Sequence, residues 1–85
     1  MSTQVNAEMV NHPNHYQAPN GLETIDVMEG FTDGMDNVEA INTAQAIRYI
    51  CRWNKKENPI QDIEKAMWYL ERLKNYLVNK KENAQ

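Results

Sequence analysis

An all-α fold is what this sequence predicts: a hairpin of two longer helices, with a short helix and an irregular loop on its N-terminal side. Three observations lead there. Ile63, Ala66, Leu70, Leu73 and Leu77 repeat at 3-4-3-4 spacing, the period of one helix face. Asn58-Pro59 separates two helical patterns by a short connection, which joins them as an antiparallel hairpin. No stretch of note alternates apolar and polar residues as a half-buried strand does.

Taken in order, residues 1–9 are polar and unpatterned and are expected to be a flexible tail. Residues 10–81 are expected to form one helical domain, and residues 82–85 a frayed end. Residues 10–21 hold His12, Pro13, His15, Tyr16, Pro19, Asn20 and Gly21, the composition of an irregular loop. Residues 22–29 carry Ile25, Val27 and Met28 and predict a short helix stopped by Gly30. It is too short to hold alone and must pack on something. Asp33-Gly34 marks a turn. Asp36 followed by Glu39 resembles a capping box and opens a helix that runs to about Trp53 or Lys55. Ala40, Ala44, Ile47 and Cys51 form its apolar line, widened by Ala46, Ile50 and Trp53. Asn58 is the expected cap of the last helix, Pro59 its first residue and Lys80 about its end, with Asp62 and Glu64 favourable to the dipole in its first turn.

The chain has 85 residues, enough for one domain with little buried surface. A single cysteine, Cys51, excludes an internal disulfide, and no paired Cys/His spacing suggests structural zinc. Self-association is the remaining common remedy, so a homo-oligomer is expected. Charge is uneven: seven acids and no Lys or Arg precede Arg48, while nine bases face five acids from Arg48 onward. Two compatible readings follow. The acidic half docks on the basic half, or the basic half meets an anionic ligand. The overall acidity argues against a sequence-independent binder of double-stranded nucleic acid. No apolar run is long enough for a membrane span, and the polar N-terminus does not read as a signal peptide. The lone thiol fits a reducing cytoplasm.

Residues 46–56 carry the main chemical signal. Arg48, Arg52 and Lys56 are spaced i, i+4, i+8 on one side of the predicted helix, and Tyr49 and Trp53 follow one residue on. Lys55 lies beside them. The last helix offers Lys65, Trp68, Tyr69 and Arg72. Two cation–aromatic edges on adjacent helices can frame one cleft, or face each other between subunits, with phosphate on the guanidinium forks and a base on an aromatic face. The alternative is that the rings are core or interface anchors and the cations are solvated. His12 and His15, three apart with Tyr16 beside them, read better as hydrogen-bond donors of a lid over the basic edge than as metal ligands, and no metal site is expected. Glu23, Asp26 and Glu29 lie along one side of the short helix, where they can hold a cation or, more simply, pair with Arg48 or Arg52. Only three glycines exist, so there is no Walker loop or dinucleotide fingerprint. Ser2 is the only serine, and Cys51 lies on a predicted apolar face.

Four segments in order, Val10-Asn-His-Pro-Asn-His-Tyr16, Glu23-Thr-Ile-Asp-Val-Met-Glu29, Ala46-Ile-Arg-Tyr-Ile-Cys-Arg-Trp53 and Asp62-Ile-Glu-Lys-Ala-Met-Trp-Tyr-Leu70, give the chain a resemblance over about residues 10–73. It resembles a family of small tailed-bacteriophage proteins of unknown function, often labelled nucleotide-kinase-like. The resemblance implies a phage origin, expression in the host cytoplasm and a connection to nucleotides, since family members can phosphorylate nucleoside monophosphates without a Walker loop. By position it marks His12, Pro13, His15, Tyr16, Ile25, Asp26, Glu29, Arg48, Tyr49, Arg52, Lys55, Lys56, Lys65, Ala66, Trp68 and Tyr69. The family commonly has a glycine before the paired lysines, where this chain has Trp53-Asn54, and its kinases tend to be longer. Both departures count against catalysis more than against binding.

The expectation is therefore a phage-encoded binder of a nucleotide or cyclic nucleotide, sequestering a host immune signal and needing no cofactor. Arg48, Arg52, Lys55 and Lys56 would neutralise phosphate and Trp53, Trp68 or Tyr69 would stack the base, with Lys65 on the same edge. His12, His15 and Tyr16 would close the site. Two alternatives stand beside it: a nucleoside monophosphate kinase-like enzyme, and a protein-only inhibitor whose uneven charge serves a host protein.

Overall fold

The computed structural model describes residues 16–55 and 57–84. Within them lie three α-helices, α1 (Thr24–Thr32), α2 (Asn37–Arg52) and α3 (Pro59–Asn83), and no strand. Gln17 and Glu23 form an isolated antiparallel bridge. The expected tail at residues 1–9, His12, His15, Lys56 and Gln85 lie outside the described residues.

The capping box is present as the sequence predicts. The Asp36 carboxylate accepts the Glu39 N–H at 2.8 Å, and the Glu39 carboxylate accepts the Asp36 N–H at 3.2 Å. Three boundaries differ from expectation. Helix α1 begins two residues later and passes through Gly30; the chain breaks at Asp33-Gly34, where Gly34 takes φ +85°. The Thr32 hydroxyl, donating to the Met28 carbonyl at 2.7 Å, ties off that last turn. Asn58 precedes α3 without a side-chain cap hydrogen bond, so Pro59 and the neighbouring acid Asp62 carry the start signal alone. Helix α3 continues past Lys80 to Asn83, leaving less of the expected frayed end.

Helices α2 and α3 pack antiparallel, and α1 packs on α2. Directional bonds hold both ends of the hairpin. At the turn, Arg52 pairs with Asp62. At the open end, Asp36 accepts the Tyr76 hydroxyl at 2.7 Å and the Lys80 ammonium at 3.1 Å, and Glu39 takes Lys80 at 3.3 Å. The acidic half thus docks on the basic half within one chain.

The seam buries less apolar volume than the sequence suggests. Among the described residues, the buried apolar side chains are Ala46, Tyr49 and Ala66. Thr24, Asn42 and Asp62 are buried beside them and are satisfied: Thr24 donates to the Tyr16 carbonyl, Asn42 to the Val38 carbonyl, and Asp62 receives Arg52. Ile50, Trp53, Ile63, Leu70 and Leu77, expected in the core, are exposed. The two helices meet one position around from the aliphatic stripe, so that stripe lies beside the seam.

Candidate functional site

Tyr16, just before the turn at residues 18–21, is aimed at α2. Its backbone carbonyl accepts from Thr24 at 2.9 Å, which fixes it to the start of α1. Its phenol oxygen accepts from Arg48 Nε at 2.9 Å and from Arg52 Nη1 at 3.0 Å. Two guanidinium groups one helical turn apart therefore converge on one oxygen atom. Arg48 also approaches the Gln45 side chain at 3.4 Å. Arg52 is held more firmly, donating Nε and Nη2 to the two Asp62 carboxylate oxygens at 3.3 and 3.1 Å, a bidentate pair that is nearly buried.

The Tyr49 ring lies under these groups. Arg48, Arg52 and Lys65 place their charges 5.3, 4.7 and 5.4 Å from its centroid. Tyr49 stacks on Tyr69 at 6.0 Å, and Trp68 meets Tyr69 edge-on at 4.9 Å. Arg72 covers the Trp68 ring at 5.5 Å. The result is a continuous cation–aromatic face across one flank of the hairpin, from Tyr16 through Tyr49 to Trp68.

The electrostatics follow from this geometry. Burial pushes the Tyr16 hydroxyl up, but hydrogen bonds and charge from Arg48 and Arg52 outweigh it and bring it below the ordinary phenol value. Burial likewise disfavours the Arg52 cation, yet Asp62 and Tyr16 together raise it above its ordinary value. Arg52 is thus charged throughout any physiological range, with the nearly buried Asp62 carboxylate as its partner.

The predicted site residues separate accordingly. Tyr16, Arg48, Arg52, Lys65, Trp68 and Tyr69 come together on this flank. Trp53 does not: it caps the end of α2 and is exposed. Lys55 donates to the Gln17 carbonyl at 2.8 Å and so tethers the N-terminal segment rather than facing the guanidinium pair. His12, His15 and Lys56 lie outside the described residues. The acids expected to pair with arginine do so differently. Glu23 accepts from Gln17 at 3.0 Å, Asp26 and Glu29 are exposed on α1, and the partner of Arg52 is Asp62. Asp62 is the residue that the sequence reading assigned only to the helix dipole. Its ten-residue offset from Arg52, across a short hairpin turn, is the signal that could have found it. Among the described residues no group of three or more His, Cys, Asp or Glu side chains could hold a metal ion. No helix among them is long and apolar enough to cross a membrane.

Comparison with known proteins gives one family. A family model described as protein of unknown function (DUF3310) matches residues 10–71. No curated protein and no solved structure matches the chain. The matched segment contains the Tyr16 loop, α1, α2 and the first half of α3, and with them nearly all of the cation–aromatic face. With most of its length covered, this chain belongs to the DUF3310 family of proteins of unknown function.

Proposed function

We propose that this protein binds a phosphate-bearing nucleotide on the cation–aromatic flank and holds it without consuming it. The observation that carries the reading is the convergence of Arg48 and Arg52 on one acceptor oxygen, above a tyrosine ring that also meets Lys65. Fork-shaped donors suit phosphate, and neighbouring rings suit a base. A phosphate oxygen entering at this point replaces the Tyr16 phenol as the shared acceptor, while Lys65 supplies further charge. Trp68, exposed and edge-on to Tyr69, offers the stacking surface. Beyond it lies an open hollow of about 480 Å³ that includes Arg72 and Tyr76 in its lining, a volume within the range of small-molecule sites.

Binding needs this face alone, whereas phosphoryl transfer must also position a second nucleotide and exclude water. The chain has neither a Walker loop nor a usable serine. The resemblance to small tailed-phage proteins supports an infected bacterial cytoplasm as the setting, where removal of a host nucleotide signal is the use that fits a binder of this size.

Isothermal titration calorimetry with nucleoside monophosphates, cyclic dinucleotides and ADP-ribose tests the reading. At least one class should bind saturably and be recovered intact after denaturation. Arg48→Ala should weaken it tenfold or more, the loss of one charge-assisted contact of about 1.5–3 kcal/mol. Conversion of a monophosphate in the presence of ATP would replace the binder with a kinase. A flat response to every class would remove the nucleotide altogether and leave a protein partner.

A further inference from the structure

The flank opposite the cations is apolar and open. A groove of about 410 Å³ runs between α1 and α3, with Ala46, Ile47 and Ile50 of α2 along its floor and Val27, Leu70 and Leu73 in its walls. Beside it on α3, Ile63, Met67, Leu70 and Leu77 share one helix face at spacings of 4, 3 and 7, with Lys74, which reaches Glu71 at 3.5 Å, between the last two. All four are exposed: Leu70 retains 49% of its surface and Met67 61%. Each half-exposed aliphatic side chain leaves roughly 80–100 Å² open, so stripe and groove together present roughly 500 Å² of apolar surface. That is at the size where a patch on a lone chain marks an interaction site, and most of the ~800 Å² per partner of a standard interface.

We infer that a second copy of this chain covers this face, with its α3 lying in the groove. Leu70 carries the choice of occupant. It belongs both to the groove wall and to the stripe, so one two-fold operation places the stripe of each copy in the groove of the other and covers both features at once. Small Ala46 and Thr43 on the floor permit close helix approach. The pairing makes a four-helix bundle from two hairpins and supplies the apolar burial that Ala46, Tyr49 and Ala66 alone do not. It leaves both cation–aromatic flanks facing outward, one complete set of Tyr16, Arg48 and Arg52 per subunit. The inference stands independently of what those flanks bind.

Sedimentation velocity on the full chain tests it. The wild-type chain should sediment as a dimer or an even multiple of it at micromolar concentration. Met67→Lys and Leu70→Lys should each raise the dissociation constant at this contact by about 30-fold or more, a hot-spot loss. The helical circular dichroism signal should persist in Met67→Lys, whose side chain is exposed in the single chain, so that variant decides the matter if Leu70→Lys fails to fold. Ile41→Lys, seven residues before Arg48 and so on the opposite flank, should leave the mass unchanged. A wild-type monomer, an odd-numbered assembly, or an assembly indifferent to Met67→Lys would each overturn the inference.

Discussion

Replacing Asp62 by alanine isolates the interaction on which the geometry of the arginine pair depends. The Asp62 side chain keeps 3% of its surface and the Arg52 side chain 12%, and two hydrogen bonds join them. Removing one partner of such a pair strands a desolvated charge and costs about 3–5 kcal/mol. Here the lower end applies. An open hollow of about 640 Å³ touches both residues, so water reaches the stranded guanidinium and rehydrates part of it. Loss of the carboxylate from the first turn of α3 adds a few tenths, because Asp62 also complements the helix dipole. A total near 3 kcal/mol lowers the melting temperature by about 12–24 °C in a domain of this size. Thermal unfolding followed by circular dichroism at fixed protein concentration measures it. The internal comparison is Glu71→Ala, which breaks an exposed pair with Lys74, both side chains more than 60% open. That change should stay within about 0.5 kcal/mol. If Asp62→Ala costs no more than Glu71→Ala, the Arg52–Asp62 pair is not what fixes the turn end of the hairpin.

Two further outcomes follow from the packing. The Asp36 carboxyl is held down to about 2 by the Glu39 N–H first, then by the Tyr76 hydroxyl and Lys80. Its folded-state value lies below its unfolded one, so its contribution is complete above the ordinary value of 3.8 and is lost as pH falls through about 2. Melting temperature should therefore decline between pH 4 and 2, with a shallower slope in Asp36→Asn. Ala66 is 1% exposed in the α2–α3 seam, where a leucine has no room. Ala66→Leu should cost about 1–3 kcal/mol in urea unfolding, even though it raises both helix hydrophobicity and volume.

What the sequence made legible was short-range. The Asp36–Glu39 box, the Pro59 start and the i, i+4 relation of Arg48 and Arg52 each depend on a few residues and on helix geometry alone. The end of α1 differs from the expected stop because a glycine inside a helix costs only about 1 kcal/mol, which packing of α1 on α2 can offset. The left-handed conformation that stops the helix falls at Gly34 instead. The core differs from expectation for another reason. Apolar periodicity finds the stripe Ile63, Leu70 and Leu77, but the two helices meet over Ala46, Tyr49 and Ala66, where Asp62 reaches Arg52. Periodicity says which residues avoid water without saying which surface they meet, and a stripe destined for a second helix of the same chain looks the same as one destined for another chain. Within the site, Tyr16 was legible as a ring near the basic edge, whereas its role as the shared acceptor required a contact 32 residues away in sequence.

The two arginines that looked equivalent in sequence are not equivalent in the fold. Arg52 spends three of its donors inside the chain, two on Asp62 and one on Tyr16, and its charge balances a buried carboxylate. Substituting it therefore disturbs stability before it disturbs any ligand. Arg48 has the phenol at 2.9 Å and Gln45 only at 3.4 Å, and among the described residues it forms no salt bridge. Its charge is therefore not paired with a carboxylate among the described residues, the property that would draw an incoming anion on the proposed function. On the proposed function, Arg52 would position the site and Arg48 would attract the anion. Arg52→Ala should lower affinity and melting temperature together, whereas Arg48→Ala should lower affinity while shifting the melting temperature by only a few degrees. Melting curves that fall equally for both would mean that Arg48 is as much a part of the fold as its neighbour, and the division between a structural and a receptive guanidinium would not hold.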